Sequence, residues 1–63
     1  MKGLEYIKLH PEIRFWNIFR WIEDDTGENE GWKIIDLEDI EDYELVDDAF
    51  IDEDSCDLYL IDY

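Results

Sequence analysis

The sequence predicts an α+β domain, a small antiparallel sheet of three or four strands with one short acidic helix. Three observations predict it: short apolar segments alternate with polar breaks, one acidic segment repeats its apolar residues at a helical period, and 46% of the 63 residues are apolar. Three Trp, four Tyr and three Phe can build a core in so short a chain. We expect residues 1–63 to form a single domain, because this length is near the lower limit for independent folding. An all-β fold is the alternative.

The first apolar segments are predicted to be strands. Residues 4–9 form the first, and Pro11 ends it because proline removes a donor from the sheet ladder. Residues 13–22 admit a helix or a strand, and a helix would place four apolar side chains on one side: Phe15, Ile18, Phe19 and Ile22. We favour the strand, because these residues are β-branched and aromatic and a helix would end in acids at the negative end of its dipole.

The second half of the chain is predicted to hold a turn, two strands and the helix. Residues 24–31 are rich in Gly, Asp and Glu and read as a turn, and residues 32–37 as the return strand of a hairpin. Residues 38–50 repeat apolar side chains near a period of 3.6, which favours a helix, although like-charge crowding opposes it. Residues 52–55 are a polar break, and residues 57–62 alternate as a final strand.

Charge is distributed unevenly along the chain. The formal net charge is −15, from 20 Asp and Glu residues against five Lys and Arg. Residues 1–33 contain all five bases and seven acids, whereas residues 36–63 contain thirteen acids and no base. This balance excludes binding to nucleic acid and to anionic membranes, which bind Lys and Arg. It predicts a basic partner.

The acidic segment supplies the candidate partner-binding residues. If residues 36–44 are extended, acids on one face follow at about 6.6 Å, and in a helix their Cβ atoms lie about 5–6 Å apart. Both spacings are of the same order as the phosphate spacing of about 3.4 Å along each DNA strand. The predicted contact residues are Asp36, Glu38, Asp39, Glu41, Asp42, Glu44, Asp47, Asp48, Asp52, Glu53 and Asp54.

Catalytic, metal and cofactor sites are not predicted. His10 precedes a proline in a predicted turn and has no Ser or Cys near it in sequence, and the acids around Cys56 disfavour its thiolate. The acid clusters lack the glycine and the spacing of an EF-hand. One cysteine, no signal peptide and no membrane-length apolar run predict a soluble cytoplasmic protein.

In size, charge and the interleaving of rings with acids, the chain resembles the small acidic DNA-mimic proteins that bacteriophages make early in infection. Members of this class occupy the DNA-binding surface of host proteins such as nucleoid-associated HU, uracil-DNA glycosylase, restriction enzymes or RNA polymerase. The class shares no fold or sequence signature, so it assigns no site residue. The resemblance implies a host-takeover inhibitor that acts in the host cytoplasm without catalysis.

Two further possibilities follow from the residues. An acidic interaction or immunity-type protein could bind a basic partner that does not bind nucleic acid. The aromatic side chains of residues 13–22 and Trp32 are predicted to serve the core first. A sheet covered on one face would leave some of them exposed, where they could form a homodimer interface or anchor a partner.

Overall fold

The computed structural model describes residues 1–28 and 30–62, which form one α-helix, one short 3₁₀ helix and four strands. The α+β class is therefore confirmed. The elements, in chain order, are α1 (Gly3–Leu9), β1 (Asn17–Ile22), β2 (Gly31–Ile35), the 3₁₀ helix (Leu37–Asp39), β3 (Leu45–Ile51) and β4 (Cys56–Ile61).

The sheet has the strand order β2-β1-β4-β3. The β1–β2 and β3–β4 pairs are antiparallel, but the central pair, β1 and β4, is parallel. The prediction of an antiparallel sheet is therefore wrong for its central pair. Residues 36–44, which we name the acidic crossover, take the chain from the β2 edge to the β3 edge. The chain then returns through β4 into the middle of the sheet.

Three of the predicted strands are confirmed, with shifted bounds. The strand interpretation of residues 13–22 holds from Asn17 onward, and the predicted strand at 32–37 is β2. The predicted turn between them holds as well, with Gly27 at φ 72°, and Asn29 of that turn lies outside the described residues. The break at 52–55 separates β3 from β4, and β4 matches the predicted final strand.

The predicted first strand is wrong, because residues 4–9 belong to helix α1. The extended pairing occurs just before it, where Gly3 N donates to Glu44 O and Val46 N donates to Met1 O, both at 2.9 Å. These first residues pair with the edge of β3, and the helix that begins at Gly3 then lies over the sheet. Leu4 and Ile7, three apart, then pack together against the core. Helix α1 has one acid and one base, so it is not the acidic helix that the sequence predicts.

The predicted helix at residues 38–50 is also wrong. Only the 3₁₀ helix overlaps its start, and Leu45–Ile51 is an edge strand paired with β4. Asp is a poor helix former, and like charges three or four residues apart repel each other in a helix. The segment is therefore not helical, although its apolar residues repeat at a helical period. Residues 45–51 instead pair along one side with β4.

The core lies on one face of the sheet, which we name the covered face. Ile18, Leu58 and Leu60 point into it from the central strands, and Ile40 of the acidic crossover closes it from above. Gly3 is required where α1 meets the sheet, since a Cβ there would lie 2.6 Å from Leu60 Cδ2. Helix α1 and the acidic crossover both lie on this face.

Candidate partner-binding surfaces

One partly buried ion pair, with Glu44 buried and the Arg20 side chain 28% exposed, joins the acidic crossover to the middle of the sheet. Arg20 Nε donates to Glu44 Oε2 at 3.0 Å, and Arg20 Nη2 donates to Glu44 Oε1 at 2.7 Å. The same Nη2 donates to the backbone carbonyl of Asp39 at 2.6 Å, and the Glu41 N–H donates to Glu44 Oε1 at 2.9 Å. This two-pronged contact satisfies both charges. It fixes the acidic crossover against β1.

Glu44 is therefore a structural residue, which corrects its prediction as a partner contact. Its side chain is 1% exposed, so no partner can reach it. Burial raises the pKa of its carboxyl, but the hydrogen bonds from Arg20 and the Glu41 backbone, with the guanidinium charge, outweigh burial and leave that pKa below its ordinary value. The hydrogen bond to Glu44 likewise raises the pKa of Arg20. Both groups stay charged at neutral pH.

The other predicted acids of the acidic crossover are exposed. Asp36 precedes the 3₁₀ helix and Asp39 is its last residue, and the Asp36 N–H donates to Asp39 Oδ2 at 3.4 Å. Neither the extended nor the helical geometry considered for residues 36–44 occurs, because a 3₁₀ helix is followed by a turn. The even charge spacing expected from either geometry is therefore absent. The exposed acids of the segment are Asp36, Glu38, Asp39, Glu41 and Asp42.

The five remaining predicted acids lie on β3 and in the turn that follows it. Asp47 and Asp48 are exposed at the sheet edge, and residues 52–54 are exposed at one end of the β3–β4 hairpin. Two of these carboxylates hold local backbone, since Asp48 Oδ1 accepts from Ala49 N at 2.8 Å and Asp52 Oδ1 accepts from Glu53 N at 2.7 Å. The predicted acids thus form three separate groups.

The bases are not set apart from these acids in the folded chain. Arg14, Arg20 and Lys33, three of the five bases, line a cleft between the β1–β2 hairpin and the acidic crossover. The opposite wall of that cleft contains acids of the crossover: Asp36, Glu38, Asp39 and Glu41. Acids and bases are therefore separated along the sequence but lie close together in the folded chain. The predicted contact residues also do not include Asp25, Glu28 and Glu30, which are exposed acids around the β1–β2 turn.

The second face of the sheet, which we name the open face, is aromatic. Alternate residues of a strand share a face, and the pairing register Phe19↔Ile34, Trp21↔Trp32 and Phe19↔Tyr59 fixes which ones do. Its apolar members are Phe19, Trp21, Trp32, Ile34, Leu45, Phe50, Tyr59 and Ile61. The exposed fractions of three of them are large: 63% for Ile34, 55% for Phe50 and 42% for Trp32.

Tyr59 is the centre of the ring cluster on the open face. Its ring centroid lies 4.9 Å from Phe19 in a stacked arrangement, 4.9 Å from Trp32 edge-on and 5.9 Å from Phe50 edge-on. Trp21 joins through Trp32 at 5.2 Å. Such mutual contacts hold each ring in place. The sequence indicated that some rings would be exposed, but the pairing register was needed to identify them.

Two carboxylates belong to the open face. Asp48 lies opposite Tyr59 in the β3–β4 register, and Asp57 precedes Tyr59 by two residues on β4. Asn17 Nδ2 donates to Asp57 Oδ1 at 3.0 Å, which orients that carboxylate. Of the described strand residues, no Lys or Arg faces this side, because Lys33 pairs with Arg20 on the covered face. The open face therefore combines rings with negative charge.

Neither a metal site nor a membrane-spanning helix is found in the described part of the chain. Among residues 1–28 and 30–62, no three side chains of His, Cys, Asp or Glu are grouped so that they could hold a metal ion. No helix in those ranges has both the length and the apolar character needed to cross a bilayer. No family model, curated protein or solved structure matches the chain.

Proposed function

We propose that the protein is a DNA-mimic inhibitor, which binds a basic DNA-binding protein in the cytoplasm and occupies its nucleic-acid site without catalysis. One observation carries the proposal: ten of the eleven predicted contact acids are exposed, and the acidic crossover that presents five of them is held by the partly buried Arg20–Glu44 pair. A net charge of −15 destabilises so small a domain by self-repulsion, a cost that partner binding would explain.

In this proposal the carboxylates pair with Lys and Arg side chains that otherwise bind phosphate. Association is then fast and strongly salt-dependent, because long-range attraction between opposite charges steers the encounter. The acids of the crossover, the β3 edge and the β3–β4 turn would contact different parts of one basic surface. A phage-encoded copy would act in the cytoplasm of the host cell.

A second candidate is an acidic interaction or immunity-type protein whose basic partner does not bind nucleic acid. The uneven placement of the acids favours it, since residues 36–44 do not present carboxylates at a repeating interval. Both candidates require a basic partner. They differ in whether DNA and this protein compete.

A competition measurement separates the two candidates. A nucleoid-associated HU-type protein is bound to a fluorescent DNA duplex, and this protein is added while the anisotropy of the duplex is followed. The mimic hypothesis predicts release of the duplex with a steep loss of potency as salt rises. A variant with Glu38→Gln and Asp42→Asn should compete several-fold less well. A complex that contains HU, DNA and this protein together would contradict the proposal for that target.

The same competition is then run on proteins captured from a bacterial lysate. Partners that release DNA when this protein binds support the mimic hypothesis. Captured partners with no affinity for nucleic acid at all would favour the second candidate.

A further inference from the structure

We propose that the open face is the arginine-binding centre of the interface with the basic partner, and that it selects arginine over lysine. The inference rests on the proposed function, because it assigns a contact surface and a side-chain preference to the basic partner. It concerns residues outside the predicted set of contact acids, chiefly Trp32 and Tyr59.

The chemistry of the open face suits a guanidinium group. Aromatic ring faces are negative and attract cations, most strongly for Trp, and a planar guanidinium can stack on a ring while its N–H groups donate to a carboxylate. Trp32 is 42% exposed beside Tyr59, with Asp48 opposite Tyr59 and Asp57 two residues before it. Lysine presents a compact, strongly hydrated charge and gains less from the same arrangement.

The rings are also held ready for such a contact. The centroid distances of 4.9 Å from Tyr59 to Phe19 and to Trp32 leave these side chains little freedom to lose on binding. Asp57 is likewise oriented by Asn17 at 3.0 Å. The loss of side-chain conformational entropy on binding, which weakens many surface contacts, is therefore small at the open face.

A second copy of the chain fits the open face less well than a basic partner. Four strands about 4.8 Å apart and five residues long give a face on the order of 300–350 Å². A stable interface buries about 800 Å² per partner, so a dimer would have to extend onto the surrounding acids. Two copies of charge −15 repel there, whereas a basic partner is attracted.

The test compares two fluorescent peptides of equal length and charge, one with alternating Arg and Ser and one with alternating Lys and Ser. We expect the wild-type protein to bind the arginine peptide about tenfold more tightly, the size of one or two cation–π contacts. Trp32→Leu keeps an apolar side chain but removes the indole, and should reduce the ratio to below about threefold. Tyr43→Leu is the matched control, because Tyr43 is a 60% exposed ring on the acidic crossover. It should leave the ratio unchanged.

The outcomes separate the inference from the proposed function. Equal affinity for the two peptides, or an unchanged ratio in Trp32→Leu with a native circular dichroism spectrum, would overturn the inference even if DNA is still displaced. An arginine preference that depends on Trp32, without displacement of DNA, would support the inference and count against the mimic function. A dimer in sedimentation that Trp32→Leu dissociates would show that a second copy occupies the face, and would also overturn the inference.

Discussion

The two faces of the sheet contain similar numbers of apolar side chains but differ in what lies over them. On the covered face, α1 and the acidic crossover bury Ile18, Leu58 and Leu60, and an ion pair holds the crossover in place. On the open face, a ring cluster of comparable apolarity remains accessible. The acidic crossover, although rich in carboxylates, therefore stabilises the fold. Its buried members, Ile40 and Glu44, close the core, and its other acids remain on the surface.

Breaking the ion pair should have the largest effect on stability. Arg20→Ala leaves the carboxylate of Glu44 buried without its partner, so we expect a loss of about 3–5 kcal/mol in the free energy of unfolding. Urea unfolding followed by circular dichroism measures it. The control is Glu38→Gln, an exposed change in the same crossover, which should alter stability by less than about 0.5 kcal/mol. Equal effects of the two substitutions would contradict the structural task assigned to the pair.

A matched pair of isoleucines compares the faces directly. Ile18 is 2% exposed on the covered face and Ile34 is 63% exposed on the open face, one strand away. Ile18→Ala should cost about 2–5 kcal/mol of unfolding free energy, and Ile34→Ala less than about 1 kcal/mol. If Ile34→Ala proved as costly as Ile18→Ala, the open face would be buried in solution.

The close approach of α1 to the sheet predicts a smaller loss. In Gly3→Ala the new Cβ would meet the fully buried Leu60 side chain, 2.6 Å from its Cδ2. We expect the overpacking to cost about 1–3 kcal/mol. The double variant Gly3→Ala with Leu60→Val should lose less than the sum of the two single variants, as measured by a double-mutant cycle. Additive losses would mean that the two residues do not touch.

The smallest effect is a pH dependence specific to Glu44. Its pKa is lower in the folded chain, so the stabilisation from its charged form is fully present above the ordinary value of 4.5 and is lost as pH falls through the folded value. Glu44→Gln should therefore be less stable than wild type at pH 7, and the gap should close below pH 4.5. Comparing the two chains cancels the titration of the other acids. A gap that stays constant with pH would contradict the assignment.

Strands β1, β2 and β4 were predicted from the sequence, because β-branched and aromatic segments bounded by turn residues are local signals. Residues 4–9 and 38–50 were not, since their conformation depends on partners far away in sequence. The backbone of Met1 and Gly3 pairs near the start of β3, and Glu44 pairs with Arg20, 24 positions earlier. The covered and open faces could not be told apart either, because both sides of residues 13–22 are apolar.

The candidate partner-binding residues could likewise be predicted only in part. Composition alone located the exposed acids, because long runs of Asp and Glu cannot all be buried. It could not distinguish Glu44 from its neighbours, since only the position of Arg20 on the covered face makes that one carboxylate internal. Composition also could not predict that Phe50, Trp32 and Tyr59 lie close together, because their proximity depends on the strand order β2-β1-β4-β3.

The most direct test of the two-face account uses the three indole N–H signals of ¹⁵N-labelled protein during titration with the arginine peptide. Trp21 and Trp32 belong to the open face, whereas the Trp16 indole lies on the covered side, packed against Tyr6 at 5.9 Å. We expect saturable shifts of the Trp21 and Trp32 indole signals, with the Trp16 signal unmoved. Shifts confined to the backbone of residues 36–42, with all three indoles unmoved, would contradict this expectation.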